Sequence, residues 1–303
     1  MRKIIKLTNN WLFHKGDIDI SYPTNKGQVC VQAKTERKKV GPAARFYPET
    51  VDDYGNSGKM RYEQWERVSL PHDYIVNQDN DKKENNALGY FHYDNAWYRL
   101  HFELDNTFKG KRILLAGKST VYLNGCLCAH NFSSYNSFEV DITGMVDFNY
   151  ENVLAIFVDT TESEGWWYQG GGIYRDVRLC ITENVFFDLY GVYVPTKKLK
   201  NNNWQITFEN TIGNDNFDDT QEITVENLLL DSNNNCVLKS SSKGIAFPRE
   251  KVTIKSTETI ENPILWDIEN PNLYTVKSVL YVNEKETDEN YTRIGFRDVS
   301  ITT

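Results

Sequence analysis

The sequence has no apolar run approaching the ~18 residues of a membrane-crossing helix, which excludes helical membrane insertion. It is poor in cysteine: five occur in 303 residues (Cys30, Cys126, Cys128, Cys180 and Cys236), with no C-x-x-C among them. An odd number at scattered spacing gives neither a disulfide framework nor a zinc ribbon. These cysteines read instead as small packing residues in a reducing compartment, with Cys126 and Cys128 sharing one face of a strand. Basic residues are outnumbered, 34 Lys and Arg against 42 Asp and Glu, for a net charge of −8. Sequence-independent nucleic-acid binding needs clustered cations, and the one cluster, Arg37 to Lys39, reads as a short solvated loop. There is no G-x-S-x-G and no H-E-x-x-H, and none of the five histidines lies four residues from another. The opening, MRKIIKLTNN, lacks the apolar core and the cleavage site of a secretory leader. That predicts a cytoplasmic protein, or one whose leader has been removed.

Aromatic residues are plentiful. The 15 Phe, 18 Tyr and 7 Trp carry far more apolar surface than a disordered chain holds. Period-2 alternation dominates, and no long helical stripe is present. In Trp97 to Leu104 (WYRLHFEL), Tyr98, Leu100, Phe102 and Leu104 share one face, while Trp97, Arg99, His101 and Glu103 share the other. Asn124-Gly125 separates two short strand patterns and tolerates the positive φ of a tight hairpin. Val153 to Val158 (VLAIFV) is apolar on both faces, as a strand covered from both sides should be. Beyond Val185 a second series begins, with Trp204, Ile206 and Phe208, then Ile223 and Val225, Val252 and Ile254, and finally Tyr274, Val276, Leu280 and Val282, with Ser278 between. Its spacers are turn-rich, and seven or so short strands in the last stretch fit an immunoglobulin-like sandwich. At ~100–200 residues per domain the length predicts two. The polar link Thr182-Glu183-Asn184 divides the chain into residues 1–182, a larger sandwich of jelly-roll type, and 183–303, the immunoglobulin-like sandwich. Asn9 to Asp19 reads as a terminal strand or strap, Val40 to Gly58 as a long loop, and Asp79 to Asn86 as a charged surface loop. The fold class is therefore all-β.

Three segments invite a chemical reading. His72-Asp73 has the types of a base and its orienting carboxylate, but neighbours in an extended segment diverge, so a turn with side chains bonded to backbone is the better reading. Gly170-Gly171-Gly172 has no Lys-Ser/Thr behind it and is not a phosphate loop; it permits a sharp turn or a close approach. Glu164-Gly165-Trp166-Trp167-Tyr168-Gln169 places two Trp and a Tyr beside a carboxylate and an amide. Aromatic faces cover the C–H face of a pyranose while polar groups bond its hydroxyls, and packing inside the protein is the competing reading.

Several motifs then agree. Trp65-Glu66-Arg67-Val68-Ser69-Leu70-Pro71-His72-Asp73-Tyr74 resembles the W-x-x-V-x-L-P-H-D-W signature of glycoside hydrolase family 2. Ala96-Trp97-Tyr98-Arg99, Val121-Tyr122-Leu123-Asn124-Gly125, Tyr135 to Thr143, Asn152 to Asp159 and Gly171-Gly172-Ile173-Tyr174-Arg175-Asp176-Val177 resemble further motifs of that family, in its order. So do Leu265-Trp266 with Pro271-Asn272-Leu273-Tyr274, and Ile294-Gly295-Phe296-Arg297. The style is most similar to β-galactosidase-type members. The resemblance implies a jelly-roll (galactose-binding-like) sandwich, an immunoglobulin-like sandwich, and then a TIM barrel carrying the acid/base and nucleophilic Glu of a retaining mechanism. A TIM barrel takes ~250 residues, which this chain does not hold. The expectation is the N-terminal, non-catalytic portion of a β-galactosidase-like enzyme, with no catalytic residue, metal or cofactor of its own. Its partners would be a β-galactoside-type carbohydrate and the missing C-terminal barrel, with self-association through the apolar rim that docks on that barrel, and no nucleic acid or membrane. By the resemblance, Asp94, Asn95, Glu164, Trp166, Trp167 and Tyr168 are accessory substrate contacts. Arg175 is expected to be a structural anchor, its guanidinium fork holding Asp73 or Asp141. Two other readings stay open: a free-standing carbohydrate-binding sandwich protein, and a purely structural two-sandwich module.

Overall fold

The computed structural model describes residues 1–18, 42–45, 65–117, 120–131, 136–161 and 170–299. The chain divides into two compact units, Ile4–Ile181, and Met1–Lys3 together with Thr182–Thr303. Among the described residues every regular element is a strand or a single 3-10 turn, and no helix is long and apolar enough to cross a membrane.

The first unit holds β1 (Lys3–Lys6), β2 (Trp11–Lys15), β3 (Glu66–Val68), β4 (His72–Asp73), β5 (Ala96–Phe102), β6 (Arg112–Gly117), β7 (Thr120–Leu123), β8 (Cys126–Ala129), β9 (Phe138–Asp141), β10 (Asn152–Val158), β11 (Gly172–Ile173) and β12 (Arg178–Thr182). They form a four-stranded sheet, β1-β12-β6-β9, a six-stranded sheet, β3-β2-β5-β10-β7-β8, and a short β4–β11 ladder. Alternation along each strand sends Trp11, Tyr98, Leu115, Ile156 and Leu179 into one shared core. The opposite face of the six-stranded sheet is covered as well. Trp97 and Ala155 pack there with Ile18 and Ala43. Arg99, which the alternation places on the polar face, is fully buried beneath that cover and donates to the carbonyls of Pro42 and Ala44. This second layer is why β10 is apolar on both sides.

The Asn124-Gly125 hairpin forms as the sequence predicts, with φ of 52° and 84° and Leu123 opposite Cys126. Asn124 also bolts the turn to β10: its Oδ1 accepts from the Val153 N–H at 2.9 Å and its Nδ2 donates to Asn152 Oδ1 at 2.9 Å. The shared face expected for Cys126 and Cys128 is interrupted. Tyr122 pairs with Leu127 but Val121 pairs with Ala129, so Cys128 is the extra residue of a β-bulge. Cys128 and Ala129 both pack against the core while Cys126 is exposed.

The second unit holds β13 (Val185–Tyr193), β14 (Thr196–Lys198), β15 (Asn203–Asn214), β16 (Gln221–Leu230), β17 (Cys236–Ala246), β18 (Lys251–Glu261), β19 (Tyr274–Val282) and β20 (Lys285–Ile294). β13 and β14 pair along one edge of β15 and β18 along the other; the facing sheet runs β17-β16-β19-β20. Trp204, Ile206, Phe208, Val225, Val276 and Leu280 form its core. The two motifs near the chain's end meet inside it. The Phe296 ring stands edge-on to Tyr274 at 5.1 Å and to Trp204 at 5.7 Å. Ser278 faces inward and donates to Asn227 Oδ1 at 2.6 Å.

Arg2 belongs to this unit through a buried ion pair. Its Nε and Nη2 donate to Asp288 Oδ1 and Oδ2 at 3.1 and 2.9 Å, and Nη2 also donates to the Phe187 carbonyl at 2.7 Å. Asp288 is fully buried and also accepts from the Phe187 N–H at 2.9 Å. Removing one partner leaves a buried charge unpaired. Arg2→Ala should therefore destabilise the second sandwich by about 3–5 kcal/mol, read as an early unfolding transition in urea that Phe187 and Asp288 amide exchange assigns to that unit.

Candidate functional site

Asp94 and Asn95 form the irregular segment that enters β5. The Asn95 carbonyl accepts from the Gly16 N–H at 2.6 Å, and Asp94 Oδ1 accepts from the Asn95 N–H at 2.8 Å. The Asp94 carbonyl accepts two hydroxyls, Tyr74 Oη at 2.5 Å and Thr160 Oγ1 at 2.6 Å, and these lie 2.9 Å from each other. Burial, reinforced by Asp94, Asp159 and Asp73, drives the Tyr74 pKa far above its ordinary range, so it stays a protonated donor. Asn95 Oδ1 is buried with no partner among the described residues. Beside it, His92 Nδ1 lies 3.0 Å from Glu84 Oε1 and its Nε2 lies 3.9 Å from Asp94 Oδ2. Gln78 Nε2 donates to the His92 carbonyl at 3.0 Å.

A second cluster adjoins this segment through Tyr74. Asp73 Oδ1 accepts three backbone N–H groups: Ile75 at 2.9 Å, Val76 at 3.2 Å and Gly171 at 3.0 Å. The Tyr74 N–H donates to the Gly171 carbonyl at 2.8 Å, extending the β4–β11 ladder in which Gly172 faces Asp73 and Ile173 faces His72. The glycines are there for close approach. A Cβ on Gly170 would run into the Asp73 carboxylate, and one on Gly172, at φ +135°, would strike the His72 carbonyl and the Tyr98 hydroxyl. His72 does not pair with Asp73 as a catalytic base would. Its Nδ1 lies 2.8 Å from Tyr98 Oη, and its ring stands edge-on to Phe13 at 4.7 Å. Burial pulls the His72 pKa down, against the opposing pull of Glu66 and Asp73.

The structure corrects the pairing expected of Arg175. Its guanidinium is not bonded to Asp73 or Asp141; it donates to Ser137 Oγ at 3.1 Å and lies over the Tyr174 ring. Both carboxylates are already committed: Asp73 Oδ1 accepts three backbone N–H groups, and Asp141 Oδ1 accepts from the Thr143 N–H and hydroxyl. Asp73 thus anchors two segments of backbone rather than an arginine. Glu164, Trp166, Trp167 and Tyr168 lie outside the described residues. The sequence reading missed Tyr74 and Thr160 as supports of Asp94; Tyr74 stands inside a quoted motif, while Thr160 carries no local signal. Among the described residues no group of three or more His, Cys, Asp or Glu side chains could hold a metal ion.

Chemically, this cradle offers a carboxylate and an amide on a braced segment, groups that bond hydroxyls. The fold and this site define a class of protein: two β-sandwiches in series, the first presenting a polar cradle on its loops. A family model described as Glycosyl hydrolases family 2 matches residues 188–297. A β-galactosidase of Bacteroides ovatus is 31% identical over 245 residues, 78% of this chain and 29% of that protein. A β-glucuronidase of Formosa agariphila is 28% identical over 269 residues, 77% of this chain and 27% of that protein. Among solved structures, a glycosyl hydrolase family 2 member from Bacteroides cellulosilyticus has a TM-score of 0.79 at 26% identity, covering 98% of this chain and 36% of that one. The chain spans about a third of the length of the relatives it matches. It belongs to glycoside hydrolase family 2 and corresponds to the non-catalytic β-sandwich portion of that family's enzymes.

Two outcomes follow from the Asp73 cluster. Gly172→Ala should cost the first unit at least about 1–3 kcal/mol from backbone strain alone, measured by urea denaturation. His72 binds its proton less readily folded than unfolded, so its contribution to stability is complete above the unfolded value of 6.5 and is lost as pH falls from there through the lowered folded value. The midpoint of the first unit should drop with acidification over that window, and His72→Gln should flatten the dependence.

Proposed function

We propose that this chain is the scaffolding and accessory substrate-binding portion of a retaining β-galactosidase. The intact enzyme cleaves terminal β-galactosides at a catalytic barrel, and these sandwiches support the barrel and lend hydroxyl-bonding groups to its substrate. Asp94 and Asn95 are the contacts, joined by Glu164, Trp166, Trp167 and Tyr168. The observation that carries this reading is the Asp94–Asn95 segment, held from beneath by Tyr74 and Thr160 and bearing a buried acceptor, Asn95 Oδ1, with no partner among the described residues. An unsatisfied buried acceptor is costly unless a ligand or water bonds it. The choice of galactoside over glucuronide is supported by charge. Asp94 and Glu84 flank His92 beside the segment, and Asp73 and Asp159 lie near Tyr74 beneath it; carboxylates outnumber cations there, a setting that repels a sugar carboxylate. The β-galactosidase from Bacteroides ovatus, with its 31% identity, supports the same choice.

The test has two arms. The purified chain alone should show no turnover of an aryl β-galactoside; measurable turnover overturns the assignment. In the intact enzyme, Asp94→Ala should lower kcat/KM for an aryl β-galactoside by about tenfold to a hundredfold, the loss of one or two charge-assisted hydrogen bonds. An unchanged value removes Asp94 from the substrate site, and a preference for the aryl β-glucuronide removes galactose as the sugar.

A further inference from the structure

The second sandwich carries a pocket of about 470 Å³ of its own, within the size range of small-ligand sites. Val185 and Val282 form its apolar part, and two pairs of carboxamides line it. Asn184 Nδ2 donates to Asn216 Oδ1 at 3.0 Å, and Asn283 Nδ2 donates to Gln221 Oε1 at 2.9 Å. Each pair spends one carbonyl and one amino hydrogen on itself. Each therefore still presents one carbonyl and one NH2 group, and this holds whichever way the amides are turned. A carbonyl acceptor beside an amino donor is the complement of a hydroxyl group, which both donates and accepts. Two such pairs around one pocket suit a ligand bearing several hydroxyls.

The four amides are fixed by the fold. Asn283 opens the two-residue turn Asn283–Glu284, with φ of 49° and 65°, that joins β19 to β20, and its N–H donates to the Glu222 carbonyl at 3.2 Å. The Asn216 N–H donates to Asn214 Oδ1 at 3.0 Å; Asn214 is itself buried and donates to the carbonyls of Asp219 and Ala246 at 2.8 and 3.0 Å. The Asn184 carbonyl accepts from the Asp215 N–H at 2.8 Å, and Gln221 begins β16 opposite Ala246. Such bracing removes much of the ordering cost of binding. Charge narrows the ligand further. Glu183 and Glu286 outnumber Lys285 around the rim, so no surplus of positive charge is left for a carboxylate or phosphate.

We propose that this pocket binds a neutral hexopyranose unit through its two amide pairs, giving the second sandwich a carbohydrate site of its own. The proposal rests on the pocket's geometry and does not depend on Asp94 or Asn95. Among the described residues the lining contains no aromatic ring, so the expected affinity is weak, on the order of millimolar. The test is side-chain amide spectroscopy of the ¹⁵N-labelled chain titrated with methyl β-galactopyranoside, methyl β-glucuronide and calcium chloride in parallel. The NH2 resonances of Asn216 and Gln221 should shift with the galactoside in a saturable way, more weakly with the glucuronide, and not with calcium. Asn216→Ala should weaken the response at Gln221 about tenfold, and Asn283→Ala the response at Asn216 likewise, the effect of losing one or two neutral hydrogen bonds. Unshifted Val225 and Leu280 amides would show that both variants keep the fold. No response at the pocket, a response indifferent to both substitutions, or a response to calcium instead of sugar overturns the proposal. Galactoside shifts confined to Asn95 would overturn it too, while leaving the accessory-contact reading intact.

Discussion

A single carboxylate, that of Asp73, ties together two stretches of chain 98 residues apart in sequence. It closes its own turn by accepting from Ile75 and Val76, and it reaches across to accept from Gly171. That grip sets the β4–β11 ladder, and the ladder sets where Tyr74 stands. Tyr74 in turn supports the carbonyl of Asp94, so the position of the cradle descends from Asp73 through a short chain of hydrogen bonds. The glycines opposite are a consequence of the same closeness, because any side chain at Gly170 would occupy the volume of the carboxylate. Backbone donors suit this task better than an arginine: they are fixed by the fold and lose little freedom when they bond.

Much of the architecture was legible in the sequence because a strand writes its faces with period 2. The Tyr98–Leu100–Phe102 face, the two-sided β10 and the Asn124-Gly125 turn are all local signals, and the structure follows them. What escaped were properties decided by distant partners. Arg99 looks solvated in its own strand, and only the return of Pro42 and Ala44 over it makes it a core residue. Cys128 loses its alternation to a bulge that depends on the register against β7. Asp94 was legible as a candidate by resemblance, but its supports were not, since Thr160 and Tyr74 meet it only through tertiary folding. The Arg175 anchor failed for the same reason: Asp73 Oδ1 is committed to backbone N–H groups, one of them 98 residues away, and Asp141 Oδ1 to Thr143, while the guanidinium meets Ser137 instead.

The second sandwich shows how an isolated pair of sheets manages its own edges. β17 and β18 each leave one side unpaired in their sheets. Lys239, Lys251 and Lys255 lie along these edges, paired to Glu226, Asp188 and Glu209 at 3.0, 2.6 and 2.9 Å. Glu258 faces inward between the edges and accepts from Ser240 Oγ at 2.8 Å. Charge along and within an edge discourages another strand from adding to it. The amide-lined pocket belongs to a different border of the same unit, built by turns, where rigid backbone rather than charge determines what is presented.

The buried pairing of Arg2 with Asp288 has a consequence for biosynthesis. The two residues are 286 positions apart, so the ribosome delivers Arg2 long before Asp288. At ~5–20 residues per second, Arg2 waits on the order of 15–60 s for its carboxylate to be made. During that interval the first sandwich can assemble, and Arg2 gains its buried counter-charge only once β20 has emerged. The order of translation thus fastens Arg2 down long after it is made.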